Sequence, residues 1–99
     1  MPKRVVFEKS NRDEKKMKAI FYLHTGGPKI KTIHFGQEGS SDYTKNKDEN
    51  RKKAYLARHR KNENWEDPLT AGSLSRWILW NKPTLQASID DYKKRFNFV

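Results

Sequence analysis

One apolar segment, residues 70–85, constrains the fold more than any other part of this chain. Only 33% of the 99 residues are hydrophobic and 34% are charged, and nowhere else do large apolar side chains lie so close together. Large aromatic and aliphatic side chains gain most from leaving water, so this segment is predicted to form the centre of the core. Its large apolar side chains are Leu74, Trp77, Ile78, Leu79 and Trp80.

The chain length predicts a single small domain over residues 1–99. Residues 1–4 are basic and residues 97–99 end in two apolar side chains, so both ends are interpreted as flexible or docking tails. A small, polar chain buries a modest core, which favours support from a partner.

The charge balance is strongly basic, with 22 Lys and Arg against 12 Asp and Glu and a net charge of +10. Such a chain is attracted to nucleic acid or to acidic protein surfaces. There is no cysteine, which excludes disulfides and thiolate metal sites. No apolar run approaches the roughly 18–20 residues of a membrane span, so a soluble intracellular protein is expected.

The first part of the chain carries a β pattern. Residues 17–36 alternate between apolar and polar positions around a turn containing Gly26 and Gly27, which is typical of a hairpin. A two-stranded hairpin is marginal in water. We therefore expect a third strand from residues 5–8, and a helix packed on the face that holds Phe21, Leu23, Ile33 and Phe35.

Helical patterns follow. A basic helix is predicted from Asp48 or Glu49 to Lys61, with a narrow apolar seam at Tyr55, Leu56 and His59. A short helix over residues 73–80 has Ser73 as its expected N-cap.

A last helix begins at Pro83 or Thr84 and carries an apolar stripe. The predicted fold class is therefore α+β: a small N-terminal antiparallel hairpin or three-stranded sheet followed by three helices. The stripe consists of Leu85, Ile89, Tyr92 and Phe96.

No catalytic or metal-binding pattern is present. His24, His34 and His59 match no zinc spacing, so neither a metal nor another cofactor is predicted. No two carboxylates lie in a recognisable catalytic order beside a lysine, and the glycine pairs lack the Gly-Lys-Ser/Thr of a phosphate loop. A non-enzymatic protein is expected.

The basic helix is the strongest functional feature. Between Lys45 and Lys61 there are eight Lys or Arg residues and two acids. These cations could contact phosphates, pair with an acidic protein neighbour, or form a solvated face. Residues Lys29, Lys31 and His34 of the sheet could extend a nucleic-acid surface.

The neighbouring residues in the sequence predict a different environment for each of the three tryptophans. Trp77 is expected in the core, Trp80 in the core or at a docking site, and Trp65, in a polar loop, at an exposed contact.

A set of residues between Phe35 and Leu85 stands in an order that can be compared with known families. These residues are Phe35-Gly36, Gly39, Asp42-Tyr43-Thr44, Lys47-Asp48, Arg51-Lys52, Tyr55, Arg58-His59, Glu63-Asn64-Trp65, Thr70-Ala71-Gly72 and the run from Ser75 to Leu85. Their order resembles a family of small basic proteins of unknown function that is widespread in nucleocytoplasmic large DNA viruses, such as those of algae and amoebae, and the resemblance covers residues 17–96. It implies a viral origin and a virion or DNA-associated role, and it transfers no catalytic residue.

The charge pattern and the family resemblance together predict a non-enzymatic structural or interaction protein of a large DNA virus. It would be a minor capsid protein or another virion component. It would dock on acidic surfaces of other viral structural proteins, in the virion and, during assembly, in the host cytoplasm or viral factory. The alternative is a sequence-tolerant nucleic-acid-binding protein on the double-stranded viral genome; the oligomeric state stays open. The predicted contact residues are Lys45, Lys47, Arg51, Lys52, Arg58, Arg60 and Lys61, with Trp65 and Phe98 as anchors.

Overall fold

A computed structural model describes residues 3–99 and has a three-stranded antiparallel sheet followed by helices. The α+β fold class is therefore confirmed. Met1 and Pro2, the first half of the predicted N-terminal tail, lie outside the described residues. The elements are β1 (Arg4–Lys9), β2 (Lys15–Tyr22), β3 (Lys29–Gln37), α1 (Tyr43–Asn46), α2 (Glu49–His59), α3 (Ala71–Leu74), a π-helical turn (Ser75–Leu79) and α4 (Leu85–Phe96).

The sheet has the order β1-β2-β3, so the expected third strand is present. Val5 lies opposite Phe21, and Met17 lies opposite Phe35, which places these side chains on one face. Because strand side chains alternate between faces, that face can be apolar while the other carries polar groups. Leu23 departs from the prediction, since it lies beyond the end of β2 and is 47% exposed.

The apolar segment packs on this face of the sheet. Leu74, Ile78 and Leu79 are buried in one cluster with Phe21 and Phe35. Tyr92 of α4 completes the cluster and donates its hydroxyl to the Pro68 carbonyl at 2.7 Å. The predicted centre of the core is therefore confirmed, whereas Trp77 and Trp80 lie half-buried at its margin.

Most of the predicted helix starts are correct. Asp48 caps α2 by accepting the N–H groups of Asn50 and Arg51, and Thr84 caps α4 by accepting that of Ala87. Each cap satisfies a backbone donor that has no partner inside its helix.

The predicted cap at Ser73 is wrong. Thr70 has the extended backbone that a cap requires and accepts the Ser73 N–H at 3.1 Å. Ser73 is buried one turn inside the helix, and its hydroxyl donates to the Trp65 carbonyl at 3.2 Å.

Residues 97–99 belong to the fold, so their interpretation as a flexible or partner-docking tail is wrong. Asn97 has a left-handed backbone that ends α4, and Phe98 turns back against the rings of Phe21 and Tyr92. The Val5 N–H donates to the Val99 carbonyl at 3.0 Å, and the Val99 N–H donates to Lys3 at 2.9 Å. A single parallel bridge thus extends the sheet beyond β1.

A buried ion pair positions the loop before α1 and α2. The Lys16 ammonium donates to the Asp42 carboxylate at 2.6 Å, and both side chains are buried. Asp42 also accepts the backbone N–H and the hydroxyl of Thr44, which caps α1. Three donors therefore satisfy the hydrogen-bonding capacity of this buried carboxylate, which holds the loop in place.

In the part of the chain from residue 3 to 99, no helix is long and apolar enough to cross a membrane.

Candidate polyanion-binding surface

Helix α2 is attached to the domain along one narrow side. Tyr55 is its buried residue, and its ring stacks on Trp80 with centroids 4.5 Å apart and on His59 with centroids 4.3 Å apart. Burial raises the pKa of Tyr55 to about 12, and the nearby Glu63 carboxylate acts in the same direction. The rest of the helix circumference is available to solvent or to a partner.

Five exposed cations on α2 and the two residues after it form what we call the basic surface. In the described part of the chain none of the five takes part in an ion pair. The acids of this region lie at the start of α2, where Asp48 is the cap and Glu49 accepts the Tyr43 hydroxyl at 2.7 Å. The members of the basic surface are Arg51, Lys53, Arg58, Arg60 and Lys61.

Lys52 does not belong to this surface, and its predicted role as a partner contact is wrong. Its ammonium donates to the Asn81 carbonyl at 2.7 Å and lies 4.8 Å from the centre of the Tyr43 ring. Burial lowers the pKa of Lys52, and the charge of Arg76 lowers it further. Lys52 therefore fastens α2 to the end of the π-helical turn.

Lys45 and Lys47 are exposed beside the start of α2. The Lys47 ammonium folds back and donates to the Thr44 carbonyl at 2.8 Å. Lys45 is the better placed of the two for a partner, because its ammonium has no such contact among the described residues.

One cavity adjoins the side of α2 that carries Arg51 and Arg58. It has a volume of about 290 Å³ and is also lined by Ser41, Ala54 and Trp80. Trp80, for which the sequence left open core and docking roles, is half-buried: it stacks on Tyr55 and lines this cavity.

A second cavity, which we call the tryptophan groove, adjoins the opposite side of α2. It has a volume of about 430 Å³, and no carboxylate lines it. A cavity with indole walls and cationic rims suits a flat or apolar group that carries negative charge. Its lining residues are Lys53, Leu56, Ala57, Arg60, Trp65, Arg76 and Trp77.

Arg76 organises the wall of the tryptophan groove. Its guanidinium lies 4.2 Å from the centre of the Trp77 ring and 5.5 Å from that of Trp65, and it donates to the Trp80 carbonyl at 2.8 Å. The guanidinium of Arg95 lies 3.9 Å from the centre of the Trp77 ring. Burial lowers the pKa of Arg76, and the positive charge of Arg95 lowers it further.

Trp65 is half-buried and held in place, whereas the sequence predicted an exposed contact. Its indole N–H donates to the Glu63 carboxylate at 2.9 Å, and its carbonyl accepts the Trp77 indole N–H at 2.8 Å. Its ring contributes to the groove without projecting from the surface, because these bonds fix it at both ends.

Three functional side chains of the groove, Lys53, Arg76 and Trp77, were missed as contact residues. The usable signal was that Arg76 is the one charged residue between residues 70 and 81. A charge inside an apolar segment indicates a specific partner, here the neighbouring indole rings.

The remaining candidates lie away from α2. Phe98 is only 8% exposed in the domain's own core, so its prediction as an anchor for a partner is wrong. The His34 ring shares a 2.7 Å hydrogen bond with the Ser10 hydroxyl. Burial lowers the pKa of His34, as do the charges of Arg12 and Lys18, so His34 favours the neutral form. Lys29 and Lys31 are exposed on β3.

A third cavity, of about 390 Å³, lies between the end of β3 and the C-terminal part of α2. Its lining includes the carboxylates of Asp42 and Glu63 beside Lys16, Arg58 and His59. This mixture of charges suits an anion less well than the two cavities beside α2. Over residues 3–99 no group of three or more His, Cys, Asp or Glu side chains is arranged to hold a metal ion.

Comparison with known proteins gives one match. No curated protein and no solved structure matches the chain. A family model described as a family of unknown function, DUF5754, matches residues 5–59, which run from β1 to the end of α2 and so include most of the basic surface. The match covers more than half of the chain, and the protein therefore belongs to the DUF5754 family.

Proposed function

We propose that this protein is a non-enzymatic interaction protein of a large DNA virus, a minor capsid protein or other virion component, that binds a polyanionic partner through the basic surface. The supporting observation is that five exposed cations, distributed on both sides of α2 and just after it, form no ion pair within residues 3–99. Such charges attract an oppositely charged surface and set its orientation.

The first candidate partner is an acidic surface of another viral structural protein. Carboxylates of that partner would pair with Arg58, Arg60 and Lys61, and an apolar side chain would enter the tryptophan groove beside Trp65. Tryptophan and arginine are the residue types that contribute most energy to protein interfaces, which suits this groove.

The second candidate partner is the viral nucleic acid, and one observation favours it. On each side of α2 an indole ring lies beside two cations of the basic surface: Trp80 with Arg51 and Arg58, and Trp65 with Lys53 and Arg60. Rings that stack on bases, flanked by cations that contact phosphates, are typical of sequence-tolerant nucleic-acid binding.

Titration with DNA at two salt concentrations distinguishes the two candidates. The unaltered protein would be compared with an Arg58→Ala, Arg60→Ala, Lys61→Ala variant. The matched control changes three exposed lysines outside α2, Lys29→Ala, Lys31→Ala and Lys94→Ala, and so removes the same charge. A phosphate-binding surface predicts a loss of at least about tenfold in affinity between roughly 50 and 200 mM salt, with a shallower salt slope in the α2 variant alone.

The outcomes are separable. Absence of DNA binding at low salt rejects the nucleic-acid candidate and leaves the acidic protein surface. An equal loss of DNA affinity in the α2 variant and in the matched control would reject α2 as the contact surface. The virion assignment has its own test: mass spectrometry of purified virions of the encoding virus must find the protein, and its absence would reject that assignment.

A further inference from the structure

We propose that the tryptophan groove is a binding site for an unpaired nucleotide, so that the protein prefers single-stranded to duplex nucleic acid. This inference rests on the second candidate in the proposed function, nucleic-acid binding. It specifies that the nucleic acid is single-stranded, that the tryptophan groove recognises it, and what each wall of the groove contributes.

The groove has the walls that a base requires. Leu56 and Ala57 of α2 form its apolar floor, and the indoles of Trp65 and Trp77 line it. Its volume of about 430 Å³ matches a small-molecule site. A base inside a duplex is stacked on both faces and cannot enter such a groove, whereas an unpaired base can stack on an aromatic ring.

Flat groups are already layered on the tryptophans that line the groove. The guanidinium of Arg95 lies 3.9 Å from the centre of the Trp77 ring, and that of Arg76 lies over both Trp77 and Trp65. A nucleobase is also flat and polarisable, so it can extend this cluster at the Trp65 ring. An aliphatic carboxylate side chain from an acidic protein lacks a ring face for that contact.

The charges around the groove fit a phosphate backbone. Lys53 and Arg60 lie on the same side of α2, two turns or about 10.5 Å apart along the helix axis. They can therefore contact phosphates on either side of one bound base. Arg76 and Arg95 add two further cations. The acids in contact with this group among the described residues are Asp91, which lies 3.3 Å from Arg95, and Glu63, which accepts the Trp65 indole N–H. The cluster keeps an excess of positive charge that an anionic ligand would neutralise.

The groove is formed before any ligand binds. The Trp77 indole N–H donates to the Trp65 carbonyl, the Trp65 indole N–H donates to Glu63, and Arg76 donates to the Trp80 carbonyl. Side chains held by such bonds lose little conformational freedom on binding, which favours affinity.

The test measures fluorescence anisotropy of labelled oligo(dT) of about ten nucleotides, within the range that one single-strand site covers. A duplex of the same length is the second probe, at the same salt concentration. We expect the single strand to bind the unaltered protein at least about tenfold more tightly than the duplex, because one stacked base contributes that much or more.

Trp65→Leu is the diagnostic variant, since it keeps an apolar side chain and removes the ring. Affinity for the single strand should fall about tenfold or more while affinity for the duplex changes little. Lys53→Gln with Arg60→Gln should reduce affinity for the single strand more than the matched control Lys45→Gln with Lys47→Gln, which removes the same charge at two residues before α2 that do not line the groove. Circular dichroism and thermal unfolding check that each variant folds.

A measurement on the unaltered protein guards against failure of a variant to fold. Oligo(dT) should quench tryptophan fluorescence more strongly than the duplex does, because a stacked base contacts an indole. Equal affinity for both probes, together with no effect of Trp65→Leu, overturns the groove as a nucleotide site but leaves nucleic-acid binding intact. Binding of neither probe at low salt rejects nucleic-acid binding itself. In that case, direct binding of labelled poly-glutamate that is weakened by Trp65→Leu would assign the groove to an acidic protein.

Discussion

At the scale of single residues, two glycines that look alike in the sequence have different surroundings. Gly36 and Gly39 both have a left-handed backbone, with φ of +78° and +85°. A Cβ on Gly39 would meet open space, whereas a Cβ on Gly36 would lie 2.7 Å from the Leu79 side chain and 3.3 Å from the Lys16 Cβ. Gly36 thus allows the end of β3 to approach the helices of the core.

This difference predicts that alanine substitution destabilises the protein more at Gly36 than at Gly39. Gly39→Ala should destabilise the protein by about 1–2 kcal/mol, because a side chain strains a left-handed backbone. Gly36→Ala should cost about 1–3 kcal/mol more, because Leu79 is buried and has little room to move. Urea unfolding of both variants measures the difference, and equal costs would show that the close approach to Leu79 is unimportant.

The same scale separates neighbouring cations. Lys52 and Lys53 are adjacent in a basic run, yet Lys52 is bound to Asn81 while Lys53 borders the tryptophan groove. A helix rotates by about 100° per residue, so consecutive side chains face different surroundings.

At the scale of elements, α2 is attached to the rest of the domain by few side chains. These contacts are the Tyr55 stack on Trp80, the Lys52 bond to Asn81, and the contacts that Lys52 and Glu49 make with Tyr43. An element with one buried side chain can open locally while the rest of the domain stays folded. Its attachment sets the shape of both cavities beside it.

Tyr55→Ala should therefore release α2 without unfolding the sheet. We expect amide hydrogen exchange to rise severalfold over residues 49–59 and to change little over β2, because the removed ring contact holds only the helix. Tyr55→Phe keeps the stacked ring and serves as the control. Exchange that rises equally in β2 and α2 would contradict local opening and indicate one cooperative unit.

At the scale of the whole molecule, residues 97–99 close the structure on itself. Phe98 packs on Phe21 of β2 and on Tyr92 of α4, and Val99 exchanges backbone hydrogen bonds with Lys3 and Val5. This segment joins the first strand to the last helix, so its loss affects the domain as a whole.

Phe98→Ala should reduce the free energy of unfolding by about 3–5 kcal/mol, the cost of emptying a large buried site. In a small domain this is a large share of a total that is typically about 5–15 kcal/mol. Val99→Ala is the control, because this side chain is 46% exposed and should cost little. Chemical denaturation measures both; a Phe98→Ala variant as stable as the control would restore the segment as a candidate docking tail.

The fold class, the three strands, the basic helix and its start at Asp48 were all predictable from the sequence, whereas the last helix begins at Leu85, after the predicted Pro83 or Thr84, with Thr84 as its cap. The signals are local: alternation in a strand, the 3.6-residue period of a helix, and capping side chains act between residues close together in the chain. The candidate site was predictable in part, since Arg51, Arg58, Arg60 and Lys61 lie exposed on one basic region as expected.

The sequence by itself thus determined where the elements lie and that one helix is basic. Only the tertiary structure decided that Phe98 enters the core, that Lys52 binds Asn81, and that Trp65, Arg76 and Trp77 build a groove beside α2. These outcomes depend on contacts between residues far apart in the chain. Such contacts are set by how the helices pack on the sheet, and no local pattern carries that information.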